Sequence, residues 1–141
     1  MSTNFQPDKE MRIQAQNCFQ YADSYLRTFQ NSLNNQNSRF NNDMLYNLAV
    51  MCTEKFYVAL MARYDWNATH HMPISMYKEA LTLDPELPTD FKDTAILVGK
   101  FEAICSLDGF GYHTPSNQEL NSMSSGLQKL KNWVEKRMNE I

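Results

Sequence analysis

Apolar residues recur at spacings of three and four along nearly the whole chain. No segment shows the alternation of a half-buried strand. The stripe Ala15, Cys18, Phe19, Ala22, Leu26, Phe29 and Leu33 predicts a first helix from Asp8 to Leu33. The run Asn31-Ser32-Leu33-Asn34-Asn35-Gln36-Asn37-Ser38 reads as a polar turn. A second stripe, Leu45, Leu48, Ala49, Cys52, Phe56, Ala59 and Leu60, predicts a helix from Asn42 to Tyr64, and Arg63 falls at the same angle as Leu45. Pro73 opens a short helix to Leu83, which Asp84-Pro85-Glu86-Leu87-Pro88 ends because proline cannot continue it. Thr89 is the expected cap of a fourth helix carrying Ala95, Val98, Phe101 and Cys105. After the loop Asp108 to Pro115, Ser116 and Glu119 have capping-box spacing ahead of Leu120, Met123, Leu127, Leu130, Trp133 and Val134. The pattern predicts an all-α, antiparallel up-down bundle of four long helices plus one short one. It forms a single domain over residues 1–141, with 1–6 and 139–141 frayed.

Composition narrows the function classes only a little. A net charge of −3 with 21% charged residues is an ordinary profile, without the basic stripe of a protein that grips duplex nucleic acid by charge. Lys129, Lys131, Lys136 and Arg137 read as a solvated helix face, with a phosphate track as the alternative. Three cysteines, Cys18, Cys52 and Cys105, at apolar helical positions and without metal spacing, point to reduced core thiols and a cytoplasmic protein. The first nine residues carry no apolar run of a signal peptide, and no segment is apolar enough for a membrane span. Three histidines without clustered carboxylates give no metal site, and no nucleotide loop or nucleophile elbow implies a cofactor.

Candidate chemistry concentrates in Arg63-Tyr64-Asp65-Trp66-Asn67-Ala68-Thr69-His70-His71, between the second and third helices. An arginine fork holds two phosphate oxygens, and a histidine moves a proton at neutral pH. The alternatives are structural. Arg63 snorkels or caps carbonyls at the end of its own helix, and His70 is a turn or capping residue. Tyr64 and Trp66 pack the bundle end or offer a platform for a base. His71 is read as exposed, and His113, in the glycine loop, approaches the same bundle end in an up-down topology.

The layout resembles the HEPN family of small helical-bundle proteins. There an arginine at the end of one core helix and a histidine at the start of the next stand four to six residues apart. Arg63 and His70 have six residues between them, after Glu54-Lys55-Phe56-Tyr57-Val58-Ala59-Leu60 and ahead of His71-Met72-Pro73-Ile74. The resemblance covers roughly Leu45 to Tyr112. It implies a homodimer whose shared cleft binds RNA or a nucleotide, in active members as a metal-independent ribonuclease of a toxin–antitoxin or defence system with an antitoxin-like partner. Arg63 would clamp phosphate and His70 act as acid or base, with Asp65 orienting the imidazole and Tyr64 or Trp66 stacking on a base. Other members are non-catalytic dimerisation or interaction modules. Two features depart from the active pattern. Tyr64 follows the arginine where a small polar residue is usual, and Leu107 to Pro115 lacks the Arg-Tyr-Pro-like signature.

Overall fold

A computed structural model describes residues 8–108 and 113–140, with the backbone alone for 102–108. It contains five helices: α1 (Lys9–Ser32), α2 (Asn42–Arg63), α3 (Pro73–Leu83), α4 (Asp90–Asp108) and α5 (Asn117–Met138). No strand occurs among the described residues. The expectations for residues 1–6, Gly109 to Tyr112, Ile141 and the Cys105 side chain lie outside the described residues.

The helix boundaries follow local chemistry. Asn41 caps α2 by accepting from the Met44 N–H at 2.8 Å. Pro73 takes the first position of α3, where its missing N–H is no loss. Ser116 and Glu119 complete the capping box of α5, with bonds of 3.1 and 2.9 Å. Beyond α1, Asn34 adopts φ 67°, a left-handed turn that asparagine tolerates.

Nearly every predicted stripe residue within the described side chains is buried or packs on the core. α2 exceeds its stripe: Tyr46, Thr53, Tyr57, Met61 and Ala62 are buried as well, so it is the central helix. The Cys18 and Cys52 thiols are unpaired and buried, and burial pushes both pKa values up. They are protonated, unreactive core side chains.

Helix directions follow from end-to-end contacts. α1 and α2 are antiparallel: Phe19 packs on Phe56 with ring centroids 5.6 Å apart, and the Asp8 N–H donates to Asp65 at 3.2 Å. α4 opposes α2 and α5, with the Tyr46 hydroxyl on the Val98 carbonyl at 2.6 Å and Lys100 beside Glu119 at 3.6 Å. α2 and α5 run parallel. The Asn42 side chain donates to the Pro115 carbonyl and to Asn117 at the start of α5, and Arg63 reaches its other end.

The connector from residue 64 to 72 does not simply turn the corner. It climbs back along α2, so that His71 Nδ1 lies 3.2 Å from Glu54 Oε2. Glu54 precedes Arg63 by nine residues (63 − 54), about 13 Å of helix rise. α3 then descends again, and Asp84 at its end meets Trp133 and Arg137 near the end of α5. Among the described residues, no helix is long and apolar enough to cross a membrane.

Candidate functional site

Arg63 ends α2 with its guanidinium turned onto the end of α5. Its Nε donates to the Arg137 carbonyl and its Nη2 to the Glu140 carbonyl, each at 2.9 Å. The Arg137 carbonyl belongs to the last turn of α5, whose carbonyls have no partner within the helix, Glu140 lies just beyond it, and a cation there also meets the negative end of the helix dipole. The capping alternative therefore describes Arg63, but on a neighbouring helix rather than its own. The arrangement also ties down Asn139 and Glu140, expected to fray: the Asn139 N–H bonds the Glu135 carbonyl at 3.1 Å and the Glu140 N–H bonds the Arg137 carbonyl at 3.3 Å. Arg63→Ala is expected to lower stability by about 1–2 kcal/mol in a urea melt and to loosen residues 137–140 in amide exchange. An unchanged melt and unchanged exchange would refute the clamp.

Beneath this clamp lies a buried ionic cluster that the sequence reading placed in solvent. Arg137 is only 9% exposed. Its Nε and Nη2 bind Asp84 at 2.9 and 3.2 Å, and Nη2 also binds Glu86 at 2.8 Å. Nη1 meets both Glu140 carboxylate oxygens at 3.1 Å. The guanidinium carbon sits 4.4 Å from the Trp133 ring centroid, a cation–π contact. Trp133 Nε1 adds a bond to Asp84 at 2.9 Å, and the Tyr64 hydroxyl reaches the same carboxylate. Burial works to raise the Asp84 pKa, but hydrogen bonds from Arg137 and Trp133 outweigh it and hold the carboxyl below its usual range. Burial, then the Asp84 charge, pushes the Tyr64 phenol up to about 12. Lys131, also expected in solvent, pairs with Asp23 on α1 at 2.7 Å. A solvated face of Lys131 and Arg137 is thus corrected: both answer acidic groups on packed elements.

His70 belongs to a different network, organised by Glu79 of α3. The Glu79 carboxylate accepts Trp66 Nε1 at 2.7 Å, the Thr69 hydroxyl at 2.8 Å, and the Thr69 and His70 backbone N–H groups at 3.0 and 3.2 Å. The His70 Nδ1 stands 3.0 Å from Oε1, the oxygen that also takes the His70 backbone N–H, while the bonds from Trp66 and the Thr69 hydroxyl go to Oε2. Burial works to raise the Glu79 pKa, but the bonds from Trp66, His70 and Thr69 prevail and hold it at about 2. A folded value below the usual 4.5 means that Glu79 contributes stability above about pH 4.5, lost as the pH falls through 2. The expected outcome is an acid-labile connector in wild type that Glu79→Gln makes insensitive between pH 4.5 and 2, read by Trp66 emission.

The predicted site residues are therefore spread over several places. Arg63 and Tyr64 join the ends of α2, α3 and α5. Asp65 does not orient His70: it adopts φ 62° and accepts the Asp8 N–H, while Glu79 takes the imidazole. Trp66 is 44% exposed and shares the Glu79 carboxylate with His70, whereas Tyr64 is half-buried on the cluster. His71 is exposed as expected and meets Glu54. His113 does not approach Arg63. It precedes Pro115, which is tied to Asn42 at the start of α2, and α2 spans 22 residues, about 33 Å. The parallel run of α2 and α5 is the physical reason. Among the described residues, no cluster of three or more His, Cys, Asp or Glu side chains is arranged to hold a metal.

Glu79, Asp84 and Arg137 were not singled out as site residues by sequence reasoning. A signal existed for Arg137, which continues the α5 stripe Leu127, Leu130, Val134 by one further step. Glu79 carried none, because its partners lie nine to thirteen residues away in a connector without periodicity. Comparison of the chain with protein-family models, curated proteins and solved structures finds no match.

Proposed function

We propose that this protein is a HEPN-like helical bundle acting as a non-catalytic interaction module, one that dimerises or docks a protein partner. The observation that carries this reading is the engagement of Arg63 with the α5 carbonyls. A phosphate clamp needs its fork directed at the ligand, and this fork is directed at the protein's own backbone. His70 is held by Glu79, beside a connector that has climbed away from the end of α2. The arginine and the histidine thus serve separate structural tasks. The test is incubation of purified protein with RNA in EDTA, beside Arg63→Ala/His70→Ala, together with light scattering. We expect background cleavage in both and a dimer in both. Cleavage by wild type alone would overturn the reading.

One observation favours a second reading as an RNA- or nucleotide-binding protein, in its active form a metal-independent ribonuclease with an antitoxin-like partner. The exposed Trp66 indole and the His70 imidazole hang on the two oxygens of one carboxylate, which places them within about 8 Å of each other. A ring to stack on beside a proton-transfer group suits a ribonucleotide. Saturable quenching of Trp66 by an oligoribonucleotide, lost in Trp66→Ala and kept in Arg63→Ala, is the result expected on this reading.

A further inference from the structure

We propose that Glu79 is the clasp of a strap, residues 66–71, and that the closed clasp locks neutral His70 in the tautomer protonated on Nδ1. While the strap is closed, His70 then holds a basic nitrogen, Nε2, out to solvent, and opening the strap frees the ring to exchange between tautomers.

The geometry fixes the proton in two ways. An ionised carboxylate only accepts hydrogen bonds, so the 3.0 Å contact between Glu79 Oε1 and His70 Nδ1 requires a proton on Nδ1. The Thr69 hydroxyl has one proton and gives it to Glu79 Oε2 at 2.8 Å. Its oxygen is left as an acceptor for the same Nδ1 at 3.2 Å, which again places the proton there. In neutral imidazole the other nitrogen is then an unprotonated acceptor. Burial separates the roles: the Glu79 side chain is 8% exposed and the His70 side chain 55%. The carboxylate is thus an internal anchor, and the ring it orients faces outward.

The same carboxylate closes the strap. Trp66, Thr69 and His70 all donate to it, two of them through backbone N–H groups in a connector without regular structure. All of these donors share one acceptor group, so the loss of that carboxylate weakens them together. What the clasp offers a ligand is a tautomer-fixed acceptor for an O–H or N–H donor, in the manner of a carboxylate-oriented general base. This device requires neither RNA nor a dimer, and it stands whichever reading of the function holds.

The test is long-range nitrogen–proton NMR of the full chain labelled in histidine, at mildly alkaline pH, with His70 assigned by its loss in His70→Ala. Wild type is expected to show His70 protonated on Nδ1. In Glu79→Gln the tautomer shifts toward Nε2–H, the Thr69 and His70 amides exchange about a hundredfold faster, and Trp66 emission moves to the red while the bundle still melts cooperatively. Trp66→Phe removes a single donor, so the tautomer stays and strap exchange rises only several-fold. A wild-type His70 protonated on Nε2 overturns the proposal without recourse to any variant. An unchanged tautomer and unchanged exchange in Glu79→Gln overturn it equally. If Glu79→Gln does not fold, the wild-type tautomer and the Trp66→Phe exchange pattern decide.

Discussion

Arg137→Met is expected to destabilise the bundle by about 3–5 kcal/mol, because it leaves the Asp84 carboxylate buried without its cation. Asp84 is 2% exposed and takes two guanidinium nitrogens at 2.9 and 3.2 Å. After the substitution, among the described residues, the Trp133 indole and the Tyr64 hydroxyl remain to it, and neither carries charge. Methionine also gives up the contact of the guanidinium with the Trp133 face. The effect depends on pH in a defined direction. In wild type the Asp84 pKa lies below the usual 3.8, so its contribution is complete above that value and is lost as the pH falls. In the variant, burial without the guanidinium to offset it raises the same pKa, and acid relieves the strain by protonating the carboxyl. The stability gap between the two proteins should therefore begin to narrow above pH 3.8, where the variant's carboxyl takes up its proton, and stop narrowing below it, once the wild-type carboxyl is protonated as well. Asp84→Leu/Arg137→Met removes both charges and is expected to recover most of the loss, since an apolar replacement of a buried pair is often neutral. Urea melts of the three proteins decide the matter. A single-variant loss under about 1 kcal/mol, or a double variant worse than the single, would show that the cluster does not anchor this end of the bundle.

The cluster also marks where sequence reading stops. Stripes at three and four residues are a local signal, and they located the core faces of α1, α2 and α5 because burial repeats with the helix period. The Ser116–Glu119 box was equally legible, since both partners lie within one turn. Arg63 and His70 were paired by their closeness in sequence. In space the connector turns back along α2, and nothing in its composition announces that course. Their real partners, the α5 carbonyls and Glu79, are 74, 77 and nine residues away. A polar contact of that range leaves no periodic trace. The parallel run of α2 and α5, which removes His113 from the Arg63 end, is likewise a property of packing order rather than of any one helix. Asp84 was read only as part of a helix stop, and its burial against α5 became evident once the descent of α3 was known.

Gly126→Ala is expected to destabilise the protein by about 1–3 kcal/mol, although alanine is the better helix former by about 1 kcal/mol. At Gly126, α5 passes so close to α4 that an added Cβ would stand 2.1 Å from Thr94 Oγ1, 2.7 Å from its Cγ2 and 3.0 Å from its Cβ. Turning the threonine to another rotamer moves the first two atoms but not the third. The new methyl therefore forces the helices apart, and interhelix packing in a close-packed interior resists such a shift. The strain has a readable destination. Trp133 lies seven residues beyond Gly126, two turns along the same face, and rests edge-on against Phe91 of α4 with ring centroids 6.3 Å apart. Widening the α4–α5 gap loosens that contact and, with it, the indole that bonds Asp84. Gly126→Ala should accordingly change Trp133 emission as well as the melt. Thr94→Ala in the same chain removes the two nearest atoms and is expected to restore most of the stability, leaving only the 3.0 Å approach to be absorbed. If Gly126→Ala melts at or above wild type, α4 and α5 separate easily at this point, and the close approach is not what holds Trp133 over the buried arginine.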